Sequence, residues 1–163
     1  MSASLQTIDG RAQKLVAKYD KKQAAVIPLL HMAQDTVGSV TPEVEAWVSR
    51  WTEVPVVHVR EVVTFYSMFH QKPVGKRHIR FCSTTSCVLA GSEKLYEHLK
   101  RKLGVDSGEV TKDGKFSLEE AECLCACEVA PMMQVDGIYY GNLTEQKIDE
   151  ILDQHGTGPF PKF

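Results

Sequence analysis

The sequence predicts an α+β chain: a small helical bundle over residues 1–75, then an α/β domain over residues 76–163 built around a cluster of thiols. Three observations predict it. Apolar residues recur at helical spacing through the first part of the chain. At His78-Ile79-Arg80-Phe81-Cys82 the period shifts to the alternation of a strand. All five cysteines fall in two short runs of the second part, Cys82-Ser83-Thr84-Thr85-Ser86-Cys87 and Cys123-Leu124-Cys125-Ala126-Cys127, with 35 residues between them.

A first helix is expected from the loose stripe Leu5, Ile8, Ala12, Leu15 and Tyr19. Val26, Leu29, Leu30, Ala33 and Val37 form the apolar face of a second. Pro28 is tolerated there if it lies in the first turn, where its missing N–H has no partner to lose. Gly38 stops that helix. Thr41-Pro42-Glu43 starts the next: Thr41 caps, Pro42 presets the first turn, and Glu43 faces the positive helix end. Val44, Trp47, Val48 and Trp51 repeat the spacing, and after Pro55 so do Val59, Val62, Val63 and Tyr66. Four short amphipathic helices cannot each bury a stripe alone, so they are expected to pack as a bundle. His31 on its apolar stretch reads as a packed or capped histidine rather than a ligand. Phe65-Tyr66-Ser67-Met68-Phe69 reads as core or interdomain packing. A partner surface is the alternative, because adjacent large side chains cannot all hide on one helix face.

Residues 71–77, Gln-Lys-Pro-Val-Gly-Lys-Arg, form the expected linker. The following strand delivers Cys82 at its end, and the C-x4-C segment is expected as a loop between that strand and a helix marked by Leu95, Tyr96, Leu99 and Leu103. Lys100, Arg101 and Lys102 suit the negative end of that helix, and Gly104 ends it. A strand over 116–124 would bring Cys123 beside Cys82. Asp113-Gly114 and Asp136-Gly137 are turn signals; the second joins Met132-Met133-Gln134-Val135 to Ile138-Tyr139-Tyr140 as a hairpin. Asn142 with Glu145 suggests a capping box for a final helix with Ile148, Ile151 and Leu152 on its inner face. Gly156 to Phe163 is expected to be a loose tail. The order strand, helix, strand, hairpin, helix is compatible with a thioredoxin-like domain.

Composition narrows the function. Nineteen Lys and Arg against 21 Asp and Glu give a net charge of −2, which argues against a nucleic-acid surface. No apolar run approaches the ~18 residues of a membrane span. The start has neither the basic region nor the apolar core of a secretory signal, and Asp9 and Asp20 do not suit a transit peptide. Five thiols suit a reducing compartment, the bacterial cytoplasm. There is no G-x-G-x-x-G after a strand and no Walker sequence, so no nucleotide pocket is expected on this chain. Nothing marks an activating base that would make Cys87 a nucleophile.

The thiols themselves admit four readings. The first pair is C-x4-C and the outer pair of the second run is C-x3-C. Structural zinc and thioredoxin-type dithiols favour C-x2-C. A disulfide framework fits an odd number of cysteines poorly. An iron–sulfur cluster fits best, since C-x4-C opens the plant-type [2Fe–2S] spacing. Spacing alone leaves zinc and unligated thiols open. Glu122 and Glu128 flank the second run, either as solvated carboxylates or as charges that lower a reduction potential.

Further runs carry a resemblance. Ala24-Ala25-Val26-Ile27-Pro28-Leu29-Leu30-His31-Met32-Ala33-Gln34, Val40-Thr41-Pro42-Glu43, Val63-Thr64-Phe65-Tyr66-Ser67-Met68-Phe69, and Cys123 to Cys127 followed by Glu128-Val129-Ala130-Pro131-Met132 resemble the E-type subunits of bacterial NADH dehydrogenases (NADH-quinone oxidoreductase, complex I). These are thioredoxin-like [2Fe–2S] proteins, found also in some NAD-linked hydrogenases and formate dehydrogenases. The resemblance covers residues 20 to 155. It implies a thioredoxin-like fold for the second domain and one [2Fe–2S] cluster held by Cys82, Cys87, Cys123 and Cys127. It implies an electron-transfer subunit without a substrate site of its own. It further implies a flavin- and NADH-binding partner, the F-type subunit of complex I, with FMN and NADH on that partner, within a larger respiratory complex, peripheral at the inner membrane, or within another NAD-linked redox complex. Cys125 stands where the family has glycine. It could be a passive small residue, a fifth thiol near the cluster or a substitute ligand; the passive role is expected, because the i to i+4 pair is complete without it.

Overall fold

The computed structural model describes residues 3–157. The chain divides into two compact units that meet between Pro73 and Val74, inside the polar stretch 71–77.

The first unit contains α1 (Ala3–Thr7), α2 (Asp9–Val16), a 3-10 turn (Lys22–Ala25), α3 (Val26–Val37), α4 (Pro42–Thr52) and α5 (Val56–Phe65). The single first helix expected from the sequence is broken at Ile8, whose φ and ψ of −102° and 1° leave the helical region. The break resets the phase of the stripe. Ala12 and Val16 are buried, Leu15 is half-buried and Tyr19 is exposed. Leu5, Ile8, Leu29, Leu30, Ala33, Val44, Trp47, Val48, Val59 and Val63 fill the core between the helices. Asp9 bridges two side chains of α4: its carboxylate accepts from the indole N–H of Trp47 at 2.8 Å and of Trp51 at 3.3 Å.

The starts and stops of α3 and α4 follow their residues. Pro28 lies in the first turn of α3, and Gly38 ends it at a φ of 89°. The Thr41 hydroxyl accepts from the Val44 N–H at 3.4 Å, with Pro42 opening α4. His31 is exposed, with its ring 5.0 Å from that of Phe69. The aromatic run divides: Phe69 is buried and Tyr66 half-buried, while Phe65 is 79% exposed and Met68 44%. Glu45 is buried at the end of an ion pair, 3.0 Å from Arg60 Nε. Burial raises its carboxyl above the usual range, against the pull of Arg60.

The second unit contains β1 (Arg77–Cys82), α6 (Thr85–Leu89), α7 (Ser92–Leu103), β2 (Glu109–Val110), β3 (Phe116–Ala121), β4 (Met133–Val135), β5 (Ile138–Tyr140) and α8 (Glu145–Thr157). The strands make one sheet in the order β2-β3-β1-β4-β5. β1 runs parallel to β3 and antiparallel to β4. Ile79 and Phe81 of β1 join Leu99, Leu118, Met133, Ile148, Ile151 and Leu152 in the core. Asp136 and Gly137, both at positive φ, make the expected hairpin turn.

Four details depart from the sequence expectations. Arg77 belongs to β1 rather than to the linker. It is buried, with its guanidinium donating to Asp136 at 3.1 Å and to the His155 carbonyl at 3.3 Å, which lets a charge enter the sheet. Cys87 lies in helix α6 rather than in an open loop. The cap of α8 is Thr144, whose hydroxyl accepts from the Lys147 N–H at 3.2 Å; Asn142 lies outside the helix at a φ of 49°. Gly156 belongs to α8 rather than to a loose tail, held with the helix that Arg77 grips at His155. Gly158, Pro159 and Pro161 of that expected tail lie outside the described residues.

Candidate metal centre

The parallel pairing of β1 and β3 is what brings the two cysteine runs together. Parallel strands leave a sheet by the same edge, and Cys82 at the end of β1 is in register with Ala121 at the end of β3. The Ser83 N–H donates to the Ala121 carbonyl at 3.0 Å, tying the two exits. β3 ends at Ala121, three residues short of the expected strand. Cys123 therefore lies in the loop beyond it rather than directly beside Cys82.

Alternation in β1 turns Phe81 into the core and the next residue, Cys82, toward a second apolar group. That group is Cys82, Cys87, Ala121, Leu124 and Met132, all buried. Cys82 and Cys87 are at most 2% exposed, whereas Cys123, Cys125 and Cys127 are exposed. The candidate centre thus has a buried side and a solvent side.

Burial pushes the Cys87 thiol up to about 11; the neighbouring thiol of Cys82 adds to this, the Met132 backbone opposes it, and Cys127 contributes more weakly. The Cys125 thiol is raised mainly by its hydrogen bond and charge coupling with Cys123, then by burial and by Cys127 and Cys82. These couplings place thiols of both runs in one electrostatic neighbourhood. A thiol as buried as Cys87 ionises readily only beside added positive charge, which a bound metal supplies. Among the described residues, no three His, Cys, Asp or Glu side chains converge closely enough to hold one ion. The thiols stand instead on two separate segments, a donor set suited to a cluster held from both sides.

The second segment is shaped by its backbone. Cys125 has a φ of 56°, in the region that favours glycine. Its N–H points to Cys123 Sγ at 3.4 Å, and its own Sγ lies 3.8 Å from the same sulfur. Cys127 opens a short 3-10 turn, Cys127–Val129. That turn is backed by Gly141, where any side chain would collide with Val129, and by the Asn142 N–H donating to the Val129 carbonyl at 2.6 Å. Glu122 and Glu128 are exposed on either side.

A model of the thioredoxin-like [2Fe–2S] ferredoxin family matches residues 12–156. The chain belongs to the thioredoxin-like [2Fe–2S] ferredoxin family. Its ferredoxin-type cofactor is one [2Fe–2S] cluster, and the thiol-rich edge of the sheet fits that group. The chain is similar to the E-type subunit of the NADH-quinone oxidoreductase of Rickettsia bellii (strain RML369-C), 45% identical over 147 residues that cover 88% of this chain and 87% of the relative. It is similar also to the second E-type subunit of that oxidoreductase in Rhizobium meliloti (strain 1021), 40% identical over 147 residues, covering 90% and 88%. The fold is similar to a solved NAD+-reducing [NiFe]-hydrogenase in the H2-reduced state, with a TM-score of 0.73 at 20% identity. That match covers 86% of this ferredoxin-family chain and 24% of the hydrogenase chain.

Met132 and Gly141 escape a reading of the sequence. Met132 is legible as a strand residue and as the end of the segment that follows the second cysteine run, but its backbone contact to the Cys87 sulfur leaves no side-chain signature. Gly141, directly after a hairpin, is the available signal for a close backbone approach.

Proposed function

We propose that this chain is the [2Fe–2S] electron-transfer subunit, of the E type, in an NADH dehydrogenase complex. The observation that carries the proposal is the 45% identity to an E-type subunit of an NADH-quinone oxidoreductase across nearly the whole of both chains. The ligands are Cys82, Cys87, Cys123 and Cys127. When bound, the cluster supplies one-electron oxidation and reduction of iron.

The residues of this chain set the conditions for that chemistry. Cys82 and Cys87, with Leu124 and Met132, keep water from one side. The N–H of Cys125 faces Cys123 Sγ, and such contacts raise a cluster's potential. Glu122 and Glu128 act in the opposite sense, adding negative charge at the exposed side. Cys123 and Cys127 lie on the solvent side, where a partner's redox group can approach. That partner is the flavin- and NADH-binding protein of the F type, which holds FMN and NADH. The chain itself lies in the bacterial cytoplasm, peripheral at the inner membrane through that complex. Among the described residues no helix of this chain is long and apolar enough to cross a membrane.

Electron paramagnetic resonance of the native complex tests this. NADH should raise the [2Fe–2S] signal of the one-electron-reduced cluster, and Cys82→Ser should abolish or strongly alter it. An unchanged signal in that variant would refute the ligand assignment, and a cluster that NADH never reduces would refute the partner.

A further inference from the structure

Four of the five thiols have a place in the proposed ligand set, and Cys125 does not. We propose that Cys125 and Cys123 form a reversible disulfide in the cluster-free chain, which closes the centre to metal until a thiol reductant reopens it. The inference rests on the reading of Cys123 as a ligand.

The geometry is already close to that bond. The two sulfurs lie 3.8 Å apart, near van der Waals contact, and a disulfide needs about 2.05 Å. Forming the bond requires the two side chains to rotate toward each other across that gap. The left-handed turn at Cys125, with its φ of 56° and its N–H held toward Cys123 Sγ, folds the segment so that both side chains meet. Both thiols are exposed, so a dissolved oxidant reaches them. Cys82 and Cys87 are buried and sheltered from it. Cys127 is drawn into the turn Cys127–Val129. While Cys123 is bound to iron the reaction is blocked, so the pair reports on cluster loss.

The oxidant is a small-molecule disulfide such as oxidised glutathione. The Cys123 thiolate attacks one glutathione sulfur, and the other glutathione leaves as its thiolate. The Cys125 thiolate then attacks the Cys123 sulfur of the mixed disulfide, forming the Cys123–Cys125 bond and releasing the second glutathione. The two cysteines together give up two electrons and two protons. The glutathione disulfide gains both electrons, and the two released thiolates take the protons. The product is reducible, unlike the sulfinic and sulfonic acids that exposed thiols otherwise reach.

The test uses the full chain, loaded with its cluster and then treated with an iron chelator and oxidised glutathione. Remaining thiols are alkylated and mapped by mass spectrometry. The peptide holding Cys123, Cys125 and Cys127 should carry one alkyl group, on Cys127, and be lighter by two hydrogens. Uptake of iron and sulfide should be lost and should return after dithiothreitol. Cys125→Gly should still load in the untreated state and, once oxidised, should yield Cys123 as its glutathione adduct. An alkylated Cys125, or Cys123 joined to Cys127, Cys82 or Cys87, would overturn the proposal. So would uptake of iron that the disulfide leaves untouched. A chain that never carries iron before treatment would instead contradict the proposed function, and the mapping still decides the sulfur pair.

Discussion

Cys125 holds a left-handed backbone conformation that costs a side chain about 1–2 kcal/mol. Glycine removes that strain and returns roughly 0.5–1 kcal/mol of it as extra freedom of the unfolded chain. Cys125→Gly should therefore raise the unfolding free energy by about 0.5–1 kcal/mol, read from urea denaturation, with the cluster absorbance intact. Loss of that absorbance would make Cys125 a ligand. At this scale the sequence is informative about chemistry and poor about conformation. Thiolate ligation leaves its mark in residue type and spacing, so the candidate ligands stand out. The sign of φ at Cys125, and its contact with Cys123, depend on how the loop returns over Ala121 and carry no pattern of their own. Arg77 shows the same limit: a cation in a polar stretch reads as linker until its partners, 59 and 78 residues along, are seen.

Helix α8 separates two starts that the sequence offers together. Asn142-x-x-Glu145 and Thr144-x-x-Lys147 both end at the same helix, but only Thr144 is placed to accept from the third helical N–H. Thr144→Ala should cost about 1 kcal/mol, whereas Asn142→Gly should be neutral or stabilising because Asn142 sits at positive φ. Equal losses in urea denaturation would contradict the assignment. The far end of α8 gives a pH dependence. Burial, then the Arg77 guanidinium, hold the His155 imidazole below its ordinary 6.5, with Asp136 pulling the other way. The unfolded chain therefore takes up the proton first. The contribution of His155 is complete above pH 6.5 and is lost as pH falls through the lower folded value. Stability measured from about pH 7 down to about pH 5 should decline, and His155→Asn should flatten that decline. A wild-type profile that rises over this range would contradict the sign. Elements with a strong period, such as α3, α4, α7 and β1, are legible within a residue or two. The split of the first helix at Ile8 and the helical setting of Cys87 are not, because one turn of backbone is too short to show a period.

Across the whole molecule, the account depends on one topological fact. β1 and β3 are parallel, so two cysteine runs separated by 35 residues leave the sheet at one edge. The order of strands and helices allows this pairing without fixing it; register is a property of the folded sheet. The helical unit is visible in the sequence as four stripes and is built from five α-helices and a 3-10 turn among the described residues. Its exposed Phe65 and Met68 keep a partner surface open beside the packing role that Phe69 fills. The most direct measurement is a count of iron, inorganic sulfide and zinc in one sample of the chain purified without oxygen. The account predicts a red-brown protein with about two irons and two sulfides per chain, and no zinc. One zinc per chain, in a colourless protein without sulfide, would contradict it.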